Sequence, residues 1–232
     1  MSTWNVKDPS RIDRIGTRVR RAMFERFMLA FRPAESHSIL DIGVTEDERF
    51  ESANYFEQFY PFKHRITGLG LEDATHLEGR YPGFRFVCGS ATCMPFADGA
   101  FDYVHSGAVI EHVGSYASQC TMVAECFRVA RRGVFIATPN RLFPIELHTL
   151  LPLLHWLPKR WHRQVLRALG LPFWAREDSL NLMTRRELEG AASDAGVRAV
   201  VHTVSLFGWP SNLLLIGHKT AAPVPGPRAL FR

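Results

Sequence analysis

The stretch that decides the fold is residues 84–112, which read FRFVCGSATCMPFADGAFDYVHSGAVIEH. It predicts a short apolar strand, a small polar loop, a Met-Pro-Phe turn and a second strand that opens at Phe101-Asp102. Two short apolar strands joined in this way are typical of a buried parallel sheet, in which ligand-contacting loops follow the carboxyl ends of the strands. A Glu-His pair at 111–112 comes directly after the second strand.

Apolar runs and helical spacings alternate along the rest of the chain. Further strands are predicted at residues 38–43, 64–69, 133–138, 197–204 and 212–217, and helices near 9–31, 53–59, 74–77, 117–129 and 184–195. Thr184 and Glu187 have the spacing of a capping box at the start of the last helix. This alternation predicts an α/β fold with a doubly wound, mostly parallel sheet.

The composition is that of one globular domain: 46% of the 232 residues are hydrophobic and 22% are charged. No apolar run approaches the roughly 20 residues of a membrane-spanning helix, and the first residues contain no secretory apolar segment, so a cytoplasmic location is expected. The cysteines form no Cys-x-x-Cys pair and are expected to be buried, reduced thiols; they are Cys88, Cys93, Cys120 and Cys126.

The net charge of +5 is unevenly placed. Residues 1–32 hold eight basic and three acidic residues, and residues 147–176 hold five basic residues and no acid. The second segment is mostly Leu, Trp and Pro, which suits a membrane surface, a lipid or a partner helix better than a nucleic acid. We therefore expect no nucleic-acid partner; a peripheral membrane contact, a homodimer contact and a solvated basic face stay open as alternatives.

The sequence predicts three parts of the chain: an N-terminal basic helix within residues 1–36, a main domain at 37–218 and a flexible tail at 219–232. Prolines interrupt the apolar segment 143–176, so this segment is expected to form a jointed helical cap inserted in the domain.

Several separate segments resemble the class I S-adenosylmethionine-dependent methyltransferases. They are the small polar pair at Ser90-Ala91, the Met-Pro-Phe turn, the Phe-Asp-x-Val strand and the Glu-His pair. The resemblance is to type 11 methyltransferases, and among them to a bacterial subgroup with a Gly-Val-Thr first turn, which this chain has at residues 43–45, followed by ESANYFE at 51–57. It implies a seven-stranded Rossmann-like sheet, S-adenosyl-L-methionine as cofactor and methyl transfer as activity.

The resemblance also implies a set of cofactor-binding residues: Asp41, Gly43, Glu72, Ser90, Ala91 and Ser106. Glu72 is included because the family usually ends its second strand with an acid that binds both ribose hydroxyls, and this chain has Gly70 there. A carboxylate suits the role because it accepts two hydrogen bonds. Asp73 is the second choice.

Three positions depart from the family pattern: Thr45 in place of a glycine, Gly70 in place of the ribose-binding acid, and Ser90 in place of an aspartate. They are the basis of an alternative function, a catalytically inactive methyltransferase-fold protein that acts as a binding or scaffold protein. A dinucleotide or nucleotide-sugar enzyme is disfavoured because the chain lacks Gly-x-Gly-x-x-Gly.

On the acceptor side, His112 and His148 are the expected catalytic residues, because an oxygen nucleophile benefits from a general base. For His112, capping of the following helix is the equal alternative. Glu111, Asn140 and Glu146 are expected to bind the substrate. No spacing of His, Asp and Glu resembles a metal site, so none is expected. The predicted function is methyl transfer to a small or lipid-linked acceptor, with oxygen as the expected acceptor atom.

Overall fold

The computed structural model describes residues 9–47 and 53–219. The helices are α1 (Pro9–Phe31), α2 (Tyr55–Phe59), α3 (His76–Arg80), α4 (Tyr116–Val129), α5 (Lys159–Ala168) and α6 (Arg185–Asp194). The strands are β1 (Ile39–Ile42), β2 (Ile66–Gly70), β3 (Arg85–Cys88), β4 (Phe101–Gly107), β5 (Ala130–Pro139), β6 (Val200–Leu206) and β7 (Trp209–His218). Most of the predicted tail, from residue 220, and the predicted motif residues 51 and 52 lie outside the described residues.

The strands form one seven-stranded sheet in the order β3-β2-β1-β4-β5-β7-β6. Strands β1 to β5 pair in parallel, and β7 runs antiparallel to both β5 and β6. The predicted doubly wound, mostly parallel fold is therefore confirmed. The strand order reverses between β1 and β4, and in such sheets ligands bind beyond the carboxyl ends of the strands at that point.

The sheet is buried on both faces. One apolar cluster packs α4 and α6 against it, through residues such as Met122, Phe127 and Leu188. The other packs α1, α2 and α3 against the opposite face, through residues such as Phe27, Phe56 and Leu77. Burial on both faces is complete along β1 and along β4 up to Ser106, so neither strand shows an alternation of buried and exposed residues.

Helix α6 begins as its sequence predicts. The Thr184 side chain accepts a hydrogen bond from the backbone N–H of Glu187, and the Glu187 carboxylate accepts from the backbone N–H of Thr184. The predicted capping box is confirmed.

The cysteines are free, but the expected burial is wrong for two of them. Cys126 is buried, whereas Cys88 and Cys93 are exposed. Cys88 ends β3, which pairs only with β2 and is an edge strand of the sheet, so its apolar sequence neighbours do not enclose it.

Residues 143–176 contain a 3-10 turn at Leu154–Trp156 and the helix α5, which Pro158 precedes. A small apolar cluster beneath them includes Leu166, Trp174 and Leu182. No helix in the described part of the chain is long and apolar enough to cross a membrane.

The amino end of β4 is fixed by the carboxylate of Asp102. It accepts hydrogen bonds from the backbone N–H of Ser38 (3.0 Å), from Arg131 (3.1 Å) and from Arg132 (2.9 Å), so it joins β4 to the residue before β1 and to β5. Burial disfavours its charge, but the Ser38 hydrogen bond and the two guanidinium groups outweigh burial and hold the pKa of Asp102 below its usual value.

We expect Asp102→Asn to destabilise the fold by about 1–2 kcal/mol at neutral pH, because charge-assisted hydrogen bonds are lost while Arg131 and Arg132 remain partly solvated. The folded pKa is depressed, so this contribution is present above about pH 4 and is lost as pH falls through the folded pKa. Urea unfolding of the variant and the wild type should therefore differ near pH 7 and converge in acid. Asp98→Asn, at a side chain that is 84% exposed, is the control and should change stability little. A difference that persists in acid would contradict this account.

Candidate active site

The loop after β1 lies against the carboxyl end of β2. The backbone N–H groups of Gly43 and Val44 both donate to the carbonyl of Leu69, at 2.8 and 3.2 Å. Gly43 has a φ of 98°, and a Cβ there would lie 2.2 Å from Cγ2 of Val109, in the segment after β4. Glycine is therefore required at 43 for both conformation and space.

The path of this loop also explains why position 70 holds a glycine and not an acidic residue. A Cβ at Gly70 would lie 2.2 Å from the carbonyl oxygen of Val44 and 3.2 Å from the ring of Phe86. No side chain, and so no acid, fits at position 70 while the loop takes this path. Of the two substitutes, Asp73 accepts a hydrogen bond from the backbone N–H of Thr75 at 2.9 Å, whereas Glu72 is exposed at the sheet edge.

Thr45, which stands where the family pattern has a glycine, is hydrogen-bonded to Asn54, a pairing that the sequence analysis did not predict. The Asn54 side chain accepts from the backbone N–H of Thr45 (3.0 Å) and donates to its carbonyl (2.8 Å). The Thr45 hydroxyl accepts from the backbone N–H of Asp47 (3.1 Å). The loop is thus shaped by side-chain hydrogen bonds in place of further glycines. The Gly-Val-Thr turn at 43–45 and the asparagine within residues 51–57 are the sequence features that indicate this pairing.

Ser90 follows β3, and Ser106 lies near the carboxyl end of β4, with β2 and β1 between these two strands. The Ser90 hydroxyl bonds the Thr92 hydroxyl (2.9 Å) and accepts from the backbone N–H of Thr92 (3.2 Å), while Ala91 is buried beside it. Ser106 is fully buried on β4, and its hydroxyl has no hydrogen-bond partner among the described residues.

Asp41 belongs to a buried polar cluster between the sheet and α2. Its Oδ1 lies 2.5 Å from Nδ1 of His105, and the Tyr55 hydroxyl lies 2.9 Å from Nε2 of the same ring. Glu57 is fully buried beside Asp41. Sequence reasoning missed His105, Tyr55 and Glu57, because their apolar neighbours predict packing positions.

Burial controls protonation in this cluster. It raises the pKa of Asp41 to about 7 and, together with the Asp41 charge, raises that of Glu57 well above its ordinary value. Burial lowers the pKa of His105 to about 3. The short Asp41–His105 contact is therefore a hydrogen bond more than an ion pair. Asp41 is engaged with His105, and its expected contact with the cofactor stays a prediction.

The expected acceptor residues converge after β4 and β5. Glu111 and His112 lie in a 3-10 turn that follows β4, at Ile110–His112. Glu111 is fully buried, and its Oε2 accepts from the Thr138 hydroxyl at 2.9 Å. The rings of His112 and His148 are 4.9 Å apart and nearly perpendicular, at 86°.

Both histidines are oriented through Nδ1. Nδ1 of His112 lies 2.7 Å from the carbonyl oxygen of Ser179, so it carries the proton and donates. Nδ1 of His148 lies 2.6 Å from Oε1 of Glu146. The Glu146 carboxylate also accepts from the backbone N–H and the hydroxyl of Thr149, at 2.6 and 2.7 Å. Glu146 and His148 thus meet because they lie in a turn. On a helix, two residues that are two positions apart would not share a face.

The two histidines differ in basicity. Burial lowers the pKa of His112, so its ring is neutral near pH 7. Burial opposes protonation of His148, but the hydrogen bond and charge of Glu146 outweigh it and raise the pKa of His148. For Glu146 burial is likewise outweighed by the His148 bonds, and its pKa falls to about 2.

Asn140 does not join this group. Its amide donates to the carbonyl of Pro210 at 2.9 Å, and its side-chain oxygen accepts from the backbone N–H of Leu142 at 3.0 Å. These contacts shape the turn after β5; substrate binding by Asn140 is a prediction without support from this geometry.

Comparison with known proteins agrees with the fold. Residues 40–138 match the family model described as a methyltransferase domain. No curated protein sequence matches the chain.

Solved structures share the fold at low identity. A SAM-dependent methyltransferase from Methanosarcina mazei is 16% identical, with a TM-score of 0.53 over 82% of this chain and 95% of the other. Magnesium protoporphyrin IX methyltransferase from Synechocystis PCC 6803, with bound S-adenosylhomocysteine, is 11% identical, with a TM-score of 0.59 over 94% and 90%. A Burkholderia thailandensis 1,6-didemethyltoxoflavin-N1-methyltransferase is 15% identical, with a TM-score of 0.58 over 88% and 79%. Residues 40–138 thus match a methyltransferase domain, and the chain has the fold of the class I S-adenosylmethionine-dependent methyltransferases.

Proposed function

We propose that the protein transfers the methyl group of S-adenosylmethionine to an oxygen atom of a small or lipid-linked acceptor. The observation that carries this proposal is the meeting of two histidines with two buried carboxylates, Glu111 and Glu146, beyond the carboxyl ends of β4 and β5. In a doubly wound sheet this is the edge where the ligand lies.

A neutral histidine suits the activation of a hydroxyl group. Because Nδ1 of His112 donates to Ser179, its lone pair is on Nε2, on the side of Glu111. A positioned base that takes the proton of the attacking oxygen contributes typically about 10²–10⁴-fold to a rate. His148, held by Glu146, is placed to bond the same oxygen or to share its proton. Alignment of methyl group and oxygen supplies the rest of the rate enhancement.

The cofactor half of the proposal predicts a specific ribose contact. S-adenosylhomocysteine should bind saturably, and Glu72→Gln should weaken binding about tenfold, because a hydrogen bond to a charged group contributes roughly 1.5–3 kcal/mol. The measurement is isothermal titration calorimetry.

The matched control for that measurement is Asp73→Asn. The amide oxygen of this variant can still accept from Thr75, so its affinity should stay close to that of the wild type. Equal losses in both variants would remove Glu72 from the ribose site, and no saturable binding at millimolar ligand would contradict the cofactor site itself.

The histidines are expected to act on turnover and not on cofactor affinity. His112→Ala and His148→Ala should each lower kcat about 100-fold or more, since the loss of a general base removes that much. Release of S-adenosylhomocysteine, measured with any acceptor that the enzyme methylates, reports kcat. His162→Ala, at a partly buried histidine of α5 outside this group, is the control. Full turnover in both variants would show that positioning alone carries the reaction.

A lipid-linked acceptor is favoured by the surface near His148. Ten large apolar side chains between residues 142 and 173 are exposed: Leu142, Ile145, Leu147, Leu150, Leu153, Trp156, Leu157, Trp161, Leu169 and Phe173. A concentration of exposed large apolar side chains in one segment is typical of a contact surface. Arg160 and Arg167 are exposed on α5 in the same segment, and the Arg160 guanidinium stacks on Trp161 at 5.3 Å. Apolar and basic side chains together match an anionic lipid surface.

This surface, defined as residues 142–173, should bind anionic vesicles, and added salt should weaken the binding. Trp161→Glu should reduce the bound fraction severalfold in co-sedimentation, and Arg160→Glu with Arg167→Glu should reduce the dependence on anionic lipid. Leu29→Glu, at a leucine of α1 that is 62% exposed, is the control.

If the protein stays in the supernatant with every lipid composition, the membrane contact is wrong. In that case a concentration-dependent increase in mass by light scattering, abolished by Trp161→Glu, would assign the surface to a homodimer.

A further inference from the structure

We propose that Glu111, His112 and His148 bind a divalent transition-metal ion that holds the acceptor oxygen. The metal site stands on the geometry alone, whereas its use for the acceptor rests on the function proposed above. The spacing of these residues in the sequence gave no metal motif, since His148 is far along the chain from the adjacent Glu111-His112 pair.

The three side chains bring their ligand atoms together. One ligand atom from each residue lies within 4.8 Å of the other two. Oε1 of Glu111 is 3.9 Å from Nε2 of His112. Two ligands bound at about 2.0–2.2 Å to one ion stand roughly 3–4 Å apart, so small side-chain rotations close the site.

Each of the three has an outer partner that sets its direction. Thr138 donates to Oε2 of Glu111, Ser179 accepts from Nδ1 of His112, and Glu146 binds Nδ1 of His148. In metal sites a ligating histidine almost always has its second ring nitrogen bonded to a carboxylate or a backbone carbonyl in this way. The ligating nitrogen of both rings would therefore be Nε2. A carboxylate partner also increases the donor strength of the ring it holds.

Glu111 supplies an independent observation that points to a cation. The residue is fully buried, and its Oε1 has no hydrogen-bond partner among the described residues. A buried carboxylate oxygen without a partner is costly, and pairing or metal coordination is what relieves that cost. The oxygen without a partner is the one on the side of His112.

The donor set selects the kind of ion. Two imidazole nitrogens and one carboxylate oxygen suit zinc, iron, cobalt or manganese, whereas magnesium and calcium prefer oxygen ligands. Three protein ligands leave at least one position open, as catalytic sites of this type require.

The open position would receive the hydroxyl group of the acceptor. With an ion bound, Nε2 of His112 would be a ligand and would no longer act as the base, so the ion would take over activation of the acceptor. Coordination would lower the pKa of the bound hydroxyl, and its proton would pass to solvent. The resulting metal-bound oxygen then forms a bond to the methyl carbon while the carbon–sulfur bond breaks. The electron pair of that bond returns to sulfur, so the sulfonium becomes the neutral thioether of S-adenosylhomocysteine.

The test uses the full chain without a histidine tag, stripped with chelator and titrated with cobalt chloride. Saturable visible absorption at one cobalt per chain is expected, with zinc chloride displacing it. His112→Ala, His148→Ala and Glu111→Gln should each weaken cobalt binding by well over about tenfold, and Glu146→Gln by about 10–100-fold because it removes an outer partner. His162→Ala should leave it unchanged, and circular dichroism checks that each variant is folded.

A parallel titration of the metal-free chain with S-adenosylhomocysteine separates the two proposals. Cobalt binding that depends on the cluster supports the metal site even where S-adenosylhomocysteine fails to bind and the proposed function falls. Normal S-adenosylhomocysteine binding with no saturable cobalt or zinc binding overturns the metal site alone. Metal binding that survives all three ligand variants also overturns it.

Discussion

The contact between Asp41 and His105 lies at the centre of the molecule. The two residues are paired across β1 and β4, the strands between which the order of the sheet reverses. The rings of Phe27 on α1, Phe56 on α2 and Phe135 on β5 surround His105, so two helices and three strands meet at one imidazole. The loops that carry Gly43, Glu72, Glu111, His112 and His148 all leave from these strands or from their neighbours β2 and β5. The position of the site therefore depends on the packing of this hydrogen-bonded polar pair among aromatic side chains.

Burial in this aromatic core changes the protonation of the polar groups. Burial makes charge costly for Asp41, Glu57 and His105 alike, and their pKa values move in the directions that favour the neutral forms. The hydrogen bond between Asp41 and His105 joins two groups whose charged forms are disfavoured, so it can hold the register of β1 and β4 with less desolvation penalty than an ion pair. The cluster thus fixes the alignment of β1 and β4, and it also orients Tyr55, whose hydroxyl lies 2.9 Å from His105.

The strands, the capping box and the parallel order were predictable because each rests on local pattern: apolar period, turn residues and a three-residue spacing. The reason why position 70 holds a glycine was not predictable from such a pattern. A missing acid suggests a damaged cofactor site, whereas the fold shows that the carbonyl of Val44 occupies the space of a side chain there. That carbonyl belongs to a loop whose path is set by Asn54, nine residues after Thr45 in the chain. Such a cause is a matter of tertiary packing, and no single-site comparison reveals it.

The same limit applies to the acceptor side. His112 and His148 were each recognisable as residues that follow a strand, but their proximity depends on the turn after β5 and on backbone carbonyls such as that of Ser179, which carry no sequence signature. Metal spacing rules describe ligands on one helix or one loop, whereas the proposed ligands Glu111, His112 and His148 come from two separate segments of the chain.

The turn that carries His148 is also the one that begins the apolar surface. Leu150 and Leu153 have left-handed backbone conformations, with φ values of 58° and 60°, and their side chains are 40% and 48% exposed. A leucine in that region is strained, and folding alone would favour glycine or asparagine there. The backbone N–H of Leu150 donates to the carbonyl of Glu146, and that of Leu153 to Pro144, so the strained turn is closed on the residue that orients His148. Apolar exposure and histidine orientation are thus set by one short segment.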